Sequence, residues 1–236
     1  MSKLIWDATG ARRFETGDDH GVLYLLSGSG AYENGVVWNG LTAVTENPSG
    51  AEPTDLWADN IKYATLRSTE TFACTIEAYT YPDEFAECDG SASIGTGAVI
   101  GQQPRKAFGF SYRSNLGDDV DPNRGYKLHL IYGCTASPSD KSYQTVNESP
   151  DAITFSWEIN TVPVNVTGSF DGTAWAAAGQ VFKPTASLVL DSTQVDATKL
   201  AEIEDILYGT DGSGNTAGTA ARLPLPDEVA SILNAD

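Results

Sequence analysis

Basic side chains are scarce in this sequence. Lys and Arg number 14 against 32 Asp and Glu, a net charge of −18 over 236 residues. Affinity for phosphate backbones comes from Lys and Arg releasing counterions, so the balance argues against a chain that grips nucleic acid. It argues equally against attraction to an anionic membrane surface. The imbalance is spread along the chain: residues 1–127 carry 10 basic and 18 acidic side chains (−8), and residues 128–236 carry 4 and 14 (−10). Cysteine is also sparse. Cys74, Cys88 and Cys134 are too few and too scattered for a disulfide framework and read as small buried apolar residues. Long hydrophobic runs are missing; the longest obvious one, Val22–Leu26, is far short of the ~20 residues a membrane helix needs. The opening Met1–Asp7 reaches polar residues at once and does not read as a signal peptide, so folding in a cytoplasm is expected.

What is present is apolar and aromatic material in alternation. Apolar residues make up 41% and aromatics 10%, enough to fill a real core. Period-2 patterns predict strands around 72–79, 107–113, 126–132, 153–159 and 185–190; the segment with Ile153, Phe155, Trp157 and Ile159 on one face is the clearest. One-sided alternation predicts antiparallel sheet with one face on a core. A helix is expected from a cap at Asp196 through Leu200, Ile203 and Leu207 to a stop at Gly209. A second short helix is expected after Pro226, with Val229, Ile232 and Leu233 as its stripe, and residues 82–87 suit a single turn. Residues 47–60, 117–125, 168–183 and 209–221 read as long loops of one domain spanning 1–236.

Catalytic and metal motifs are weak. His20, following Asp18 and Asp19, reads as a solvated turn, and His129 reads as a sheet-surface residue. Gly28-Ser29-Gly30 lacks the surroundings of a nucleophile elbow. Gly95–Gly101 has one residue too many for a dinucleotide loop. Asp211, Ser213 and Asn215 start like a calcium loop but place Thr216 at position six and Arg222 at position twelve. Asp119, Asp121 and Asn123 fail at the same two positions, with Arg124 and Leu130. No catalytic, cofactor-binding or metal residue is therefore assigned. The sequons at Asn147 and Asn165 are read as chance occurrences.

Several ordered stretches are distinctive: Trp6-Asp-Ala-Thr-Gly10, His20-Gly-Val-Leu-Tyr24, Gly35-Val-Val-Trp-Asn-Gly-Leu-Thr42, Ile76–Phe85, Phe108-Gly-Phe-Ser-Tyr-Arg113, Gly125–Gly133 and Leu223–Val229. Together, across nearly the whole chain, they resemble the major tail tube proteins of bacteriophages with long, non-contractile tails. The resemblance implies a mainly β (α+β) fold of two packed antiparallel sheets, a sandwich or barrel flanked by a helix. It implies rings, commonly of six subunits, that stack into a hollow tube around a tape-measure protein. Tail-tip (initiator) and terminator proteins cap the tube, and genomic double-stranded DNA leaves through it. The implied location is the virion tail, assembled in the cytoplasm of the host bacterium, and the family offers no catalytic residue or cofactor to carry over.

Two sets of residues follow as expectations. In the 47–60 segment, Pro48, Pro53, Leu56 and Trp57 among Glu52, Asp55 and Asp59 suit an apolar anchor with a charged rim, the anatomy of a subunit interface. Glu77 and Glu158, on polar faces of expected strands, are candidates for acids facing the tube lumen, where they would repel DNA phosphates. The alternatives are a sugar-binding β-sandwich, with Trp38, Trp57 and Trp175 as stacking platforms, and an acidic hydrolase.

Overall fold

A computed structural model describes residues 4–50, 52–143, 145, 152–167, 182–212 and 217–235. Among the described residues the chain is mainly β, with antiparallel pairing and two helices. Its strands are β1 (Phe14–Leu26), β2 (Tyr32–Trp38), β3 (Leu41–Glu46), β4 (Pro53–Ala58), β5 (Ile61–Arg67) and β6 (Ala73–Ala78). A 3-10 turn at Asp83–Glu87 precedes β7 (Ala92–Gly95), β8 (Ala98–Ile100), β9 (Phe108–Gly117), β10 (Gly125–Ala136), β11 (Phe155–Thr161) and β12 (Ser187–Asp191). The helices α1 (Ala197–Tyr208) and α2 (Pro226–Leu233) come last.

Eight strands share one hydrogen-bonded sheet in the order β2-β1-β9-β10-β11-β6-β3, with β12 also on β10. The sheet is strongly curled. In a flat sheet, β2 and β11 would lie four strand spacings apart, about 19 Å. Instead Trp38 of β2 and Trp157 of β11 have ring centroids 5.5 Å apart. Between the curled halves lies a core of Leu23, Trp38, Cys74, Ile76, Phe108, Phe110, Ile131, Cys134, Trp157 and Ile159, with Phe85 from the 3-10 turn driven into it. At the far end of the curl β3 returns beside β1, where the Val44 amide donates to Asp18 Oδ2 at 3.1 Å.

The resemblance implies two packed antiparallel sheets; the eight main strands are hydrogen-bonded as one sheet that forks, and its curled halves face each other across the core. The fork is at Gly133. Along one edge of β10, Lys127–Ile131 pair with β12 and Cys134–Ala136 pair with β11. On the other edge the β9 register slips between Ile131 and Cys134. Gly133 sits at φ +61, and a Cβ there would lie 2.0 Å from the Val162 carbonyl oxygen. Only glycine takes that conformation in that space.

Behind the fork the outer face of β1, β9, β10 and β12 is covered by the helices. Val22, Tyr24, Leu128, Leu130, Tyr132 and Leu190 form a second core with Ile203, Leu207, Val229 and Ile232. Asp196 caps α1 by accepting from the amides of Thr198 (2.9 Å) and Lys199 (3.3 Å), and α1 buries Leu200, Ile203 and Leu207 as its spacing predicts. Central strands β9 and β10 are thus covered on both faces over most of their length, where the sequence reading expected one solvated face. The strand expected at 153–159 begins at Phe155 and runs to Thr161, with Ile153 ahead of it.

Candidate assembly surfaces

The segment expected as a loop over 47–60 is instead the rising half of a β-hairpin arm. Its base is tied to the sheet: the Asn47 amide donates to the Ala73 carbonyl, and Ser49 and Thr71 exchange backbone hydrogen bonds of 2.8 Å. Beyond the base, β4 pairs only with β5. The turn is Asp59-Asn60, with φ values of +51 and +62. Two successive left-handed residues twist a two-residue loop the way its strands twist, and Asp and Asn tolerate that region better than most residues. The register is Thr54↔Leu66, Leu56↔Ala64 and Ala58↔Ile61, with Tyr63 as the extra residue of a bulge. One face of the arm therefore carries Leu56, Ala58, Ile61, Ala64 and Leu66. The other carries Asp55, Trp57, Lys62 and Thr65, held by a Lys62–Asp55 ion pair at 2.7 Å and by the Thr65 hydroxyl donating to Asp55 at 2.9 Å.

None of the arm's large apolar side chains is covered. Trp57 is 69% exposed, Tyr63 72%, Ile61 62% and Leu66 57%. A lone two-stranded hairpin is marginal in water. Of the expected interface residues, Pro53, Asp55, Leu56 and Trp57 lie on β4, Asp59 is in the turn, and Pro48 and Glu52 are exposed at the base. Ile61, Tyr63 and Leu66, on the partner strand β5, are not among the residues expected from sequence. The available signal was the Asp59-Asn60 dipeptide between two alternating runs.

Glu77 and Glu158 lie on one face of β6 and β11, opposite the core. Glu77 pairs with Ser156 and Glu158 with Thr75, which makes the two acids diagonal neighbours. Ala43 and Thr45 of β3 sit opposite Glu77 and Thr75 on that face, and Asn160 of β11 continues it. The face is small and polar, and it carries no Lys or Arg on these strands.

One of the two histidines sits in tighter surroundings than expected. His129 is not a surface residue. It stacks flat on Tyr112, with centroids 4.4 Å apart at 7°, and its side chain is 12% exposed. Its Nε2 is 3.0 Å from Ser114 Oγ and its Nδ1 is 3.5 Å from Glu46 Oε1, which the Tyr112 hydroxyl also reaches at 3.0 Å. The order Ser114–His129–Glu46 echoes a nucleophile relay, set within β9 where Ser114 lies opposite Asp18 of β1 and Lys127 of β10. His20 is solvated as expected, its side chain 52% exposed, but it occupies a bulge in β1 at φ +52 rather than a turn. Its neighbour Asp19 accepts from Arg113 Nε at 3.1 Å, and the Arg113 guanidinium lies 4.5 Å over the Tyr126 ring.

The three cysteines are buried, and burial pushes the thiols of Cys74 and Cys88 up to about 12. In the 117–125 loop, Asp118 accepts from the amides of Val120 and Asp121 and from Arg124, so that loop is closed by its own side chains. Among the described residues no cluster of three or more His, Cys, Asp or Glu is placed to hold a metal, and no helix is long and apolar enough to cross a membrane. Trp38 is 2% exposed and cannot stack on a sugar; Trp57 is open, and Trp175, like residues 168–181 and 213–216, lies outside the described residues. Among known proteins, no family model matches the chain, and no curated protein is significantly similar to it.

Proposed function

We propose that the chain is a structural subunit that stacks as rings, six-membered in the reading implied by the tail-tube resemblance, into the hollow tube of a phage tail. The observation that carries the reading is the β4–β5 arm, which leaves Trp57, Ile61, Tyr63 and Leu66 to solvent and spends two strands on pairing with nothing but each other. Such an arm is a liability for a monomer and useful to an assembly, where a neighbour covers it. The curled sheet is compatible with the sandwich or barrel that the resemblance implies.

The free face of β3, β6 and β11, continued by the C-terminal half of β10, is the wall in this reading. Four strands from each of six subunits give about 24 strands, a circumference of ~115 Å at ~4.8 Å spacing and a backbone diameter of ~37 Å. That leaves room for a duplex roughly 20 Å across once short side chains are added. Glu77 and Glu158 line that wall, and six chains of −18 give a formal −108 per ring. Salt screens charge beyond ~8 Å, so acids act on passing DNA only from the wall itself. The tube's partners are copies of the chain, the tape-measure protein inside, and the initiator and terminator proteins at its ends; DNA passes without specific binding.

Negative-stain micrographs and sedimentation over a concentration series test this. Rings or tubes at high concentration, or on adding a tail initiator, are expected. A monomer under all of these conditions overturns the proposal.

A further inference from the structure

Among the described residues the arm is one of two hairpins that pair outside the main sheet, and the two leave the molecule at opposite ends. The first core is closed at one end by Tyr112, His129 and Glu46, and the arm starts at the next residue, Asn47. It is closed at the other end by Phe85, which packs on Phe108 at 5.6 Å, and the β7–β8 hairpin follows that turn. Strand β6 links the two ends, because Cys74 pairs with Glu46 at the arm end while Ala78 leads toward the 3-10 turn. Like the arm, β7–β8 pairs only with itself and leaves its apolar side chains open: Ile94 is 66% exposed, Val99 61% and Ile100 40%.

Both hairpins are electrically neutral. Residues 91–104 contain no charged side chain, and the arm strands and turn, 53–67, balance Asp55 and Asp59 against Lys62 and Arg67. A second copy of a chain of charge −18 meets repulsion from the acidic surface, and the two neutral, apolar hairpins add none to it. A contact between unlike surfaces is heterologous: it does not pair two copies symmetrically, and with its two halves at opposite ends it repeats head to tail. On the arm's apolar face Leu56 is 41% exposed, Leu66 57% and Ile61 62%, so that face offers a neighbour three large aliphatic side chains still to be covered.

We infer that the apolar face of the β4–β5 arm of one copy docks on the β7–β8 hairpin of the next copy along the tube axis. This rests on the tube reading and names the surface that receives the arm. Chains carrying Leu56→Cys and chains carrying Val99→Cys, mixed at assembling concentration and treated with a short bismaleimide, test it. A cross-linked dimer is expected from the mixture and from neither variant alone. The native cysteines are buried and stay silent. Both positions are exposed, so unchanged thermal melting verifies folding. Tubes with no cross-link in the mixture, or with Leu56→Cys linking to itself, overturn the contact and leave the tube standing. Wild-type chain that never assembles overturns the tube and this contact with it. Val99→Lys supplies a second readout: tube formation is lost at concentrations where wild type assembles, and normal tubes from it overturn the contact.

Discussion

Trp38 and Trp157 meet edge to face, 71° between planes, although three strands of the same sheet lie between theirs. That contact fastens the curl, and Phe85 packs on both rings at 4.6 and 5.2 Å. Replacing a large aromatic in such a core by alanine costs about 3–5 kcal/mol. Trp157→Ala should therefore lower the urea midpoint strongly, and a loss below about 1 kcal/mol would mean the curl is held elsewhere.

Gly133 is the pivot of the fork. Gly133→Ala combines a left-handed backbone with a Cβ 2.0 Å from a carbonyl oxygen, and it should leave little soluble folded protein. Gly10→Ala is the control: its φ is +80 but nothing lies within 4 Å of the added Cβ, so only a backbone cost of about 1 kcal/mol is expected. Denaturant titration of the two variants side by side separates strain from collision.

Acid unfolding should report the 117–125 loop. The Asp121 amide, Arg124 and the Val120 amide hold the Asp118 carboxyl down at about 2 against an ordinary 3.8. A depressed carboxylate contributes stability that is present above its unfolded value and is lost as pH falls through its folded value. The loss therefore belongs between pH 3.8 and about 2. Asp118→Asn should flatten the stability profile in that window and leave the profile above pH 5 parallel to wild type. An unchanged acid limb would show that the loop does not hold its charge.

Glu46 carries a second acid-sensitive contact, at the base of the arm. The His129 imidazole first, and then the Tyr112 hydroxyl, hold its carboxyl below the ordinary 4.5 against the opposing effect of burial. By the same sign, its contribution is complete above pH 4.5 and fades as pH drops through the lowered value. A double-mutant cycle of Glu46→Gln and Tyr112→Phe should show coupling at pH 7 that vanishes in acid; equal coupling at both pH values would contradict the assignment.

The wall face makes the lumen reading testable. Glu77→Lys with Glu158→Lys alters only solvent-facing strand positions and should move stability by about 0.5 kcal/mol or less for each. Tubes of the double variant should retain short duplex DNA at low salt and release it as salt rises, whereas wild-type tubes retain none. Equal retention by both would remove these acids from the lumen.

Replacing residues 51–69 by a short Gly-Ser linker keeps the Ser49–Thr71 base and removes the arm. The monomer should stay folded, because the arm pairs with no strand of the main sheet, and assembly should be lost. Normal tubes from the armless chain would show that the exposed hairpin is incidental.

The sequence by itself determined the local elements. The cap at Asp196, the i, i+3, i+7 stripe of α1, the Pro226 start of α2 and the alternation through Cys74, Ile76 and Ala78 all rest on periodicities and side-chain chemistry that act within a few residues. Alternation also placed Glu77 and Glu158 on a face turned from the core. The tertiary structure decided what depends on residues far apart in sequence. His129 reads as polar-face material beside Leu128 and Leu130, yet most of its side chain is covered because Tyr112 stacks on it and Glu46 returns from 83 positions earlier. The Pro-rich, acidic start of 47–60 reads as loop because its pairing partner comes after the turn, and pairing, unlike periodicity, belongs to two segments at once. The fork at Gly133 is invisible to any one strand's pattern, since the demand for glycine is made by the Val162 carbonyl that the folded chain brings against it.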